Sequence, residues 1–124
     1  MMNKILIIQD SPTINMVLKS RLESNDFYVD VSETGEEGVE KVRENNYDLI
    51  LLDCNLPGIS GIDVCRILKK EEKKKDVPVI LLSAEDESKL AEIVKNEGAE
   101  GFISFTSLMD GKVLVDRINK FLKK

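Results

Sequence analysis

Short runs of branched apolar residues alternate along the chain with stretches whose apolar positions recur at helical spacing. That alternation predicts a parallel sheet with helices packed on its faces. Five such units follow one another. Ile5 to Ile8 read as a strand buried on both faces, since all four side chains are branched and apolar. From Ser11 onward, Ile14, Val17, Leu18 and Leu22 fall at helical spacing, Pro12 sits in a first turn that tolerates it, and Ser11 is the expected N-cap. Phe27 to Ser32 alternate, with Val29 and Val31 to one side and Asp30 to the other, as an edge strand with a wetter face would. Glu36 to Glu44 make a weaker helix, because Val39 and Val42 leave a thin apolar stripe beside Gly35 and Gly38.

Leu49 to Leu52 form a second wholly apolar strand. The loop Leu56-Pro57-Gly58-Ile59-Ser60-Gly61 follows, and Val64, Cys65 and Leu68 mark the helix after it. Val77 to Leu82 supply the fourth strand, and Leu90, Ala91 and Val94 stripe the fourth helix. Phe102 and Ile103 make a short fifth strand; Leu114, Ile118, Phe121 and Leu122 line the last helix. The mixed-sign run Lys69 to Lys75 reads as a solvated surface at a helix end. With no repeat or flexible linker between units, residues 1–124 read as one domain.

Composition removes several classes of function. Hydrophobic residues at 42% supply a core that a disordered tail lacks, and no apolar run approaches the roughly 20 residues needed to span a bilayer. The net charge of -5 is uneven, with -6 over residues 1–62 and +1 over the rest, and no basic stripe. Direct binding to a nucleic acid backbone is therefore not expected. The chain has no His, which excludes imidazole bases, His-based triads and His-ligated metals. Cys54 and Cys65 are too few for a disulfide framework and read as small packing residues. The start MMNKILIIQD lacks a secretory pattern, so a cytoplasmic, reducing location is expected.

In open parallel sheets, ligands bind in the crevice at the strands' carboxyl ends. The first strand finishes in Gln9-Asp10, the third in Asp53, the fourth in Ser83-Ala84 and the fifth in Ser104-Phe105. Two carboxylates on neighbouring strands with a hydroxyl nearby suit a hard divalent cation and a phosphoryl oxygen. Clustered acids repel one another unless a cation is present, so they are a poor choice for stability alone.

At these residues the chain resembles the receiver domain of response regulators. The pieces that carry the likeness are Leu51-Leu52-Asp53 with Leu56 to Gly61, the segment Val77 to Ala84, Asp10, and Gly98-Ala99. The resemblance implies a doubly wound, flavodoxin-like α/β fold of three layers, with a parallel five-stranded sheet of order 2-1-3-4-5. It implies that Asp53 is the phosphoacceptor, a carboxylate nucleophile fed by a histidine kinase or a small phosphodonor. It further implies Mg²⁺ held by Asp10, Asp53 and the backbone carbonyl of Asn55. Ser83 matches the hydroxyl that moves to the phosphoryl group, and Phe102 the aromatic whose rotamer follows. Such domains usually meet a downstream protein or effector domain through the face of the fourth helix, fifth strand and fifth helix; a homodimer is compatible with that.

Two positions depart from the family's pattern. Gln9 stands where a second acid is usual, and Phe105-Thr106 stand where lysine and proline are usual. A lysine there would pair with the phosphoryl oxygens, a charge-assisted contact of about 1.5–3 kcal/mol that a phenyl ring does not supply. Lys89 and Lys112 lie on helices near that end of the predicted sheet, though nothing in the sequence aims either at Asp53, while Phe105 itself would cap the crevice or extend an apolar surface. Retention of Asp10, Asp53 and Ser83 favours a phosphorylated signalling domain with impaired switching. The departures favour a phosphorylation-independent interaction module. A free-standing phosphoryl hydrolase is the weakest reading, because no further general base is evident and the domain is not expected to be an enzyme beyond phosphorylating and dephosphorylating itself.

Overall fold

A computed structural model describes residues 2–84, 87–108 and 110–122. Lys123 and Lys124, which follow the last apolar helix, lie outside the described residues. Five parallel strands, β1 (Lys4–Ile8), β2 (Tyr28–Ser32), β3 (Leu49–Asp53), β4 (Val79–Ser83) and β5 (Gly101–Ser104), pair in the order β2-β1-β3-β4-β5. The helices are α1 (Pro12–Glu23), α2 (Gly35–Glu44), α3 (Gly61–Lys70), α4 (Glu87–Glu97), the single turn α5 (Phe105–Leu108) and α6 (Gly111–Leu122). This is the doubly wound α/β arrangement that the sequence implied.

Strand alternation divides the core into two layers. Leu6, Ile8, Ile50, Leu52 and Leu81 point one way and pack with Val39, Val64, Leu68 and Leu90 of α2, α3 and α4. Ile5, Ile7, Leu49, Leu51, Ile80 and Leu82 point the other way and pack with Leu18, Leu22, Leu114 and Ile118 of α1 and α6. Each fully buried Leu or Ile stabilises the fold by roughly 1.5–3 kcal/mol. The central strands β3 and β4 are buried along their whole length, which is why their sequences do not alternate.

Close approach replaces bulk in α2. A Cβ at Gly38 would lie 2.5 Å from Ile8 Cδ1, and one at Gly35 would lie 2.6 Å from Val64 Cγ2. The thin stripe of Val39 and Val42 therefore suffices, because the helix backbone itself rests on β1 and α3.

Several boundaries differ from the sequence reading for identifiable reasons. The fourth strand starts at Val79 rather than Val77, since Pro78 has no N–H to offer a ladder and contributes only its carbonyl, to Ile50 N at 2.9 Å. In α1 the buried positions are Asn15, Leu18 and Leu22, while Ile14 and Val17 are half-buried. Ser11 does cap this helix, accepting from Ile14 N at 3.3 Å. Phe105 does not extend β5; it opens α5, whose turn is started by Ser104 Oγ accepting from Ser107 N at 3.4 Å.

The charged run after α3 is only partly a solvated surface. Lys69, 14% exposed, turns inward and donates from Nζ to both carboxylate oxygens of Glu100 (2.8 and 2.9 Å) and to the carbonyls of Lys75 and Val77 (both 3.0 Å). Lys74 Nζ reaches Asn45 O at 2.8 Å. Replacing Lys69 by Met is therefore expected to cost about 2 kcal/mol in urea unfolding, because Glu100 loses its charged partner. Lys75→Met, which removes a cation paired, among the described residues, with the exposed Glu72, is expected to cost less than about 0.5 kcal/mol.

Candidate functional site

The carboxyl ends of β1, β3 and β4 gather the polar residues that the apolar strands carry. Asp53 closes β3 and is 4% exposed. Its Oδ1 accepts from Asn55 N at 2.9 Å, a bond made inside the turn that leaves the strand. Gly61, the first residue of α3, sits directly beneath: its N–H donates to Cys54 O at 3.1 Å, and a Cβ there would fall 1.9 Å from Asp53 O. Ser60 caps α3 in a reciprocal pair with Asp63, and Gly58 takes the left-handed conformation (φ 76°) that the turn requires. The loop Leu56 to Gly61 thus fixes where Asp53 stands.

Asp10 follows β1 and is exposed. Its charge acts on Asp53, so the two predicted carboxylates share one neighbourhood. Burial, more than any other influence, pushes the Asp53 carboxyl above its ordinary value; the Asn55 N–H and the Gln9 amide favour the ionised form, and the Asp10 charge opposes it. Ser83 ends β4, fully buried, one residue beyond Leu82, the register partner of Asp53. Asn55 is exposed beside the pair.

Phe102 lies one strand further, in register with Leu81, and packs half-buried against the α3 and α4 layer. Arg117 of α6 places its guanidinium 5.9 Å from the centre of that ring and donates to the Phe102 carbonyl. The side chain of Phe105 packs into the α1 and α6 layer, so it joins that core instead of extending an exposed apolar surface. Lys112 lines a surface cavity with Asn25, Val115 and Asp116, beyond the end of α1 opposite Asp10, and so does not replace a cation at Asp53. Lys89 is exposed in the first turn of α4. Both cysteines are buried, and burial pushes the Cys65 thiol up to about 11, in keeping with a packing role.

The donor set suits Mg²⁺. Asp53 and Asp10, whose charge acts on it, are hard oxygen donors of the kind that hold this ion through one or two acids and several waters. Among the described residues no three acidic or thiol side chains gather, at this hollow or elsewhere, so only the Asp10 and Asp53 carboxylates are offered to an ion here.

Two contacts at the site had no motif to announce them, the Asn15 amide on the Gln9 carbonyl (2.7 Å) and Arg117 on Phe102, whereas Gly61 under Asp53 closes the loop that carried the resemblance. Asn15 alone left a trace, as a polar residue three and seven places before Leu18 and Leu22 on a buried stripe.

A parallel doubly wound sheet places its ligand crevice at the strands' carboxyl edge, where Asp10, Asp53 and Ser83 stand. Residues 5–119 match the response regulator receiver domain family, and the chain belongs to it. It is accordingly a signalling domain of two-component systems and not an enzyme. The transcriptional regulatory protein ResD of Bacillus subtilis is 43% identical over 68% of this chain and 34% of its own length. A response regulator structure from Chloroflexus aurantiacus superposes with a TM-score of 0.93 at 25% identity, covering all of both chains. The beryllofluoride-activated receiver domain of Klebsiella pneumoniae RstA superposes with a TM-score of 0.88 at 28% identity, over 98% of this chain and all of that one. The chain spans between 34% and 54% of the length of the first curated relatives it matches. No helix among the described residues is long and apolar enough to cross a membrane.

Proposed function

We propose that residues 1–124 act as one receiver domain in which Asp53 accepts a phosphoryl group from a histidine kinase or a small phosphodonor. A carboxylate oxygen of Asp53 attacks phosphorus as the bond to the donor's nitrogen or oxygen breaks, and the electron pair leaves with the donor. Asp10, Asp53 and the Asn55 carbonyl would hold Mg²⁺, which neutralises the charge on the phosphoryl oxygens. Ser83 answers the new oxygens with its hydroxyl, and Phe102 carries the change to a surface formed by α4, β5 and α6, where a downstream protein or effector domain docks. The observation that carries this reading is the burial of Asp53 within reach of the Asp10 charge. Both departures from the family's pattern, Gln9 and Phe105, weaken the response without removing the acceptor.

A phosphorylation-independent interaction module is the second reading. Its support is the Arg117 contact, which holds Phe102 by ring and carbonyl together and resists a change of rotamer.

Incubation with acetyl phosphate and Mg²⁺, read by intact mass and amide spectra, separates the two. The switch requires one added phosphoryl group, its absence from Asp53→Asn, and spectral shifts reaching Phe102. An adduct with an unmoved Phe102 supports the second reading, and no adduct at all ends the first.

A further inference from the structure

Gln9 is 1% exposed, and three of its four polar groups are committed. Its backbone N–H donates to Ser32 O at 3.0 Å, its carbonyl accepts from Asn15 Nδ2 at 2.7 Å, and its Oε1 accepts from Ser11 N at 3.0 Å. The last contact sets the direction of the amide, because the backbone donor of Ser11 claims the oxygen. The nitrogen Nε2 is then left buried with no hydrogen-bond partner. A dry, unpaired donor is costly, and native interiors hold few of them.

The surroundings say what it waits for. Ile8 and Leu52 are in register on adjacent strands, so Gln9 and Asp53 are the next pair along β1 and β3. Ile7 and Leu51 share the α1 and α6 layer, so alternation turns Gln9 and Asp53, two residues further on, to that same side. The resting Asp53 carboxylate takes the Asn55 N–H and lies near enough to the Gln9 amide for it to favour the ionised form, but leaves Nε2 without a bond of acceptable geometry. A tetrahedral group on Asp53 adds three oxygen acceptors beside this donor. An NH₂ group cannot accept from a metal-bound water, so its use in this hollow is to donate to an anion.

We propose that Gln9 donates from Nε2 to a nonbridging oxygen of the phosphoryl group on Asp53, serving as a neutral positioning residue in the acceptor pocket. The inference rests on the phosphoacceptor reading of Asp53. It makes the pocket's donor an amide fixed by Ser11 and Asn15, and leaves two carboxylates free for the cation.

Beryllofluoride with Mg²⁺ is the probe, followed by fluorine NMR and two-dimensional amide spectra. In wild type the side-chain amide signals of Gln9 are expected to shift downfield when the adduct forms, a readout that needs no variant. Gln9→Met, of similar length but without a donor, is expected to bind beryllofluoride about tenfold more weakly. Its Mg²⁺ affinity without beryllofluoride should stay within about twofold of wild type, since the amide is not a ligand. A wild-type adduct with unmoved Gln9 signals overturns the proposal and leaves the phosphoacceptor reading standing. Equal binding by Gln9→Met does the same. Wild type that takes no adduct overturns the phosphoacceptor reading instead.

Discussion

Gly61→Ala is expected to destabilise the domain by about 3 kcal/mol and to disable the acceptor site in the molecules that still fold. The new methyl would sit 1.9 Å from the Asp53 carbonyl oxygen, 2.7 Å from the Asp53 carbonyl carbon and 2.8 Å from Cys54 Cα. None of these is the end of a flexible side chain. Relief requires α3 to lift from the end of β3, which breaks the Gly61 N–H bond to Cys54 O and moves the backbone that aims the Asp53 carboxylate. Gly111→Ala is the matched control: its methyl meets Arg21 Cδ at 3.3 Å, in a long side chain held at Leu108 O that need give by only a few tenths of an ångström, and a change below about 1 kcal/mol is expected. Urea unfolding measures the first effect, and beryllofluoride uptake well below the melting temperature measures the second. A Gly61→Ala protein with wild-type stability and uptake would show that the strand end and the helix start are not locked together.

How much of this could be read from residues alone follows from which interactions are local. Ile5 to Ile8 and Leu49 to Leu52 declare buried strands because every position is apolar, and Ser11 declares a helix start because its hydroxyl meets an N–H only three residues on. Asp10 and Asp53 are legible as strand-end acids, since parallel topology leaves their side chains few other places to meet. The fate of Lys69 is different. Its partner Glu100 is 31 positions away, and nothing in the run Lys69 to Lys75 says which of several cations turns inward. Phe105 was ambiguous for the same reason: its role depends on whether the chain continues β5 or turns, and Ser104 decides that through a hydroxyl contact to Ser107. Gly61 carries no side chain to read, yet its lack of one is what lets Asp53 sit where it does.

Asp53→Asn is expected to raise the melting temperature of the cation-free domain at neutral pH while abolishing its response to Mg²⁺. The sign follows from the direction of the carboxyl's shift. Burial, reinforced by the Asp10 charge, holds the folded pKa of Asp53 above the ordinary 3.8, so the folded chain binds this proton more tightly than the unfolded chain does. That contribution to stability is present below the unfolded value and is lost as pH rises through the folded one. At pH 7 the wild type carries a buried charge that the amide does not, and the Asn55 N–H can still donate to the amide oxygen. The variant should therefore melt higher than wild type at pH 7 and lose the part of the pH dependence that lies above 3.8. Mg²⁺ reverses the ranking. At about 100 times its dissociation constant, a cation bound only by the folded state stabilises by about 2.7 kcal/mol, or roughly 10 °C in a domain of this size. Wild type should gain this and the variant little, because the amide offers no charge to the ion. Equal gains by both proteins would place the cation away from Asp53, and a variant melting below wild type without Mg²⁺ would show that the buried carboxylate is already compensated by a partner within the fold.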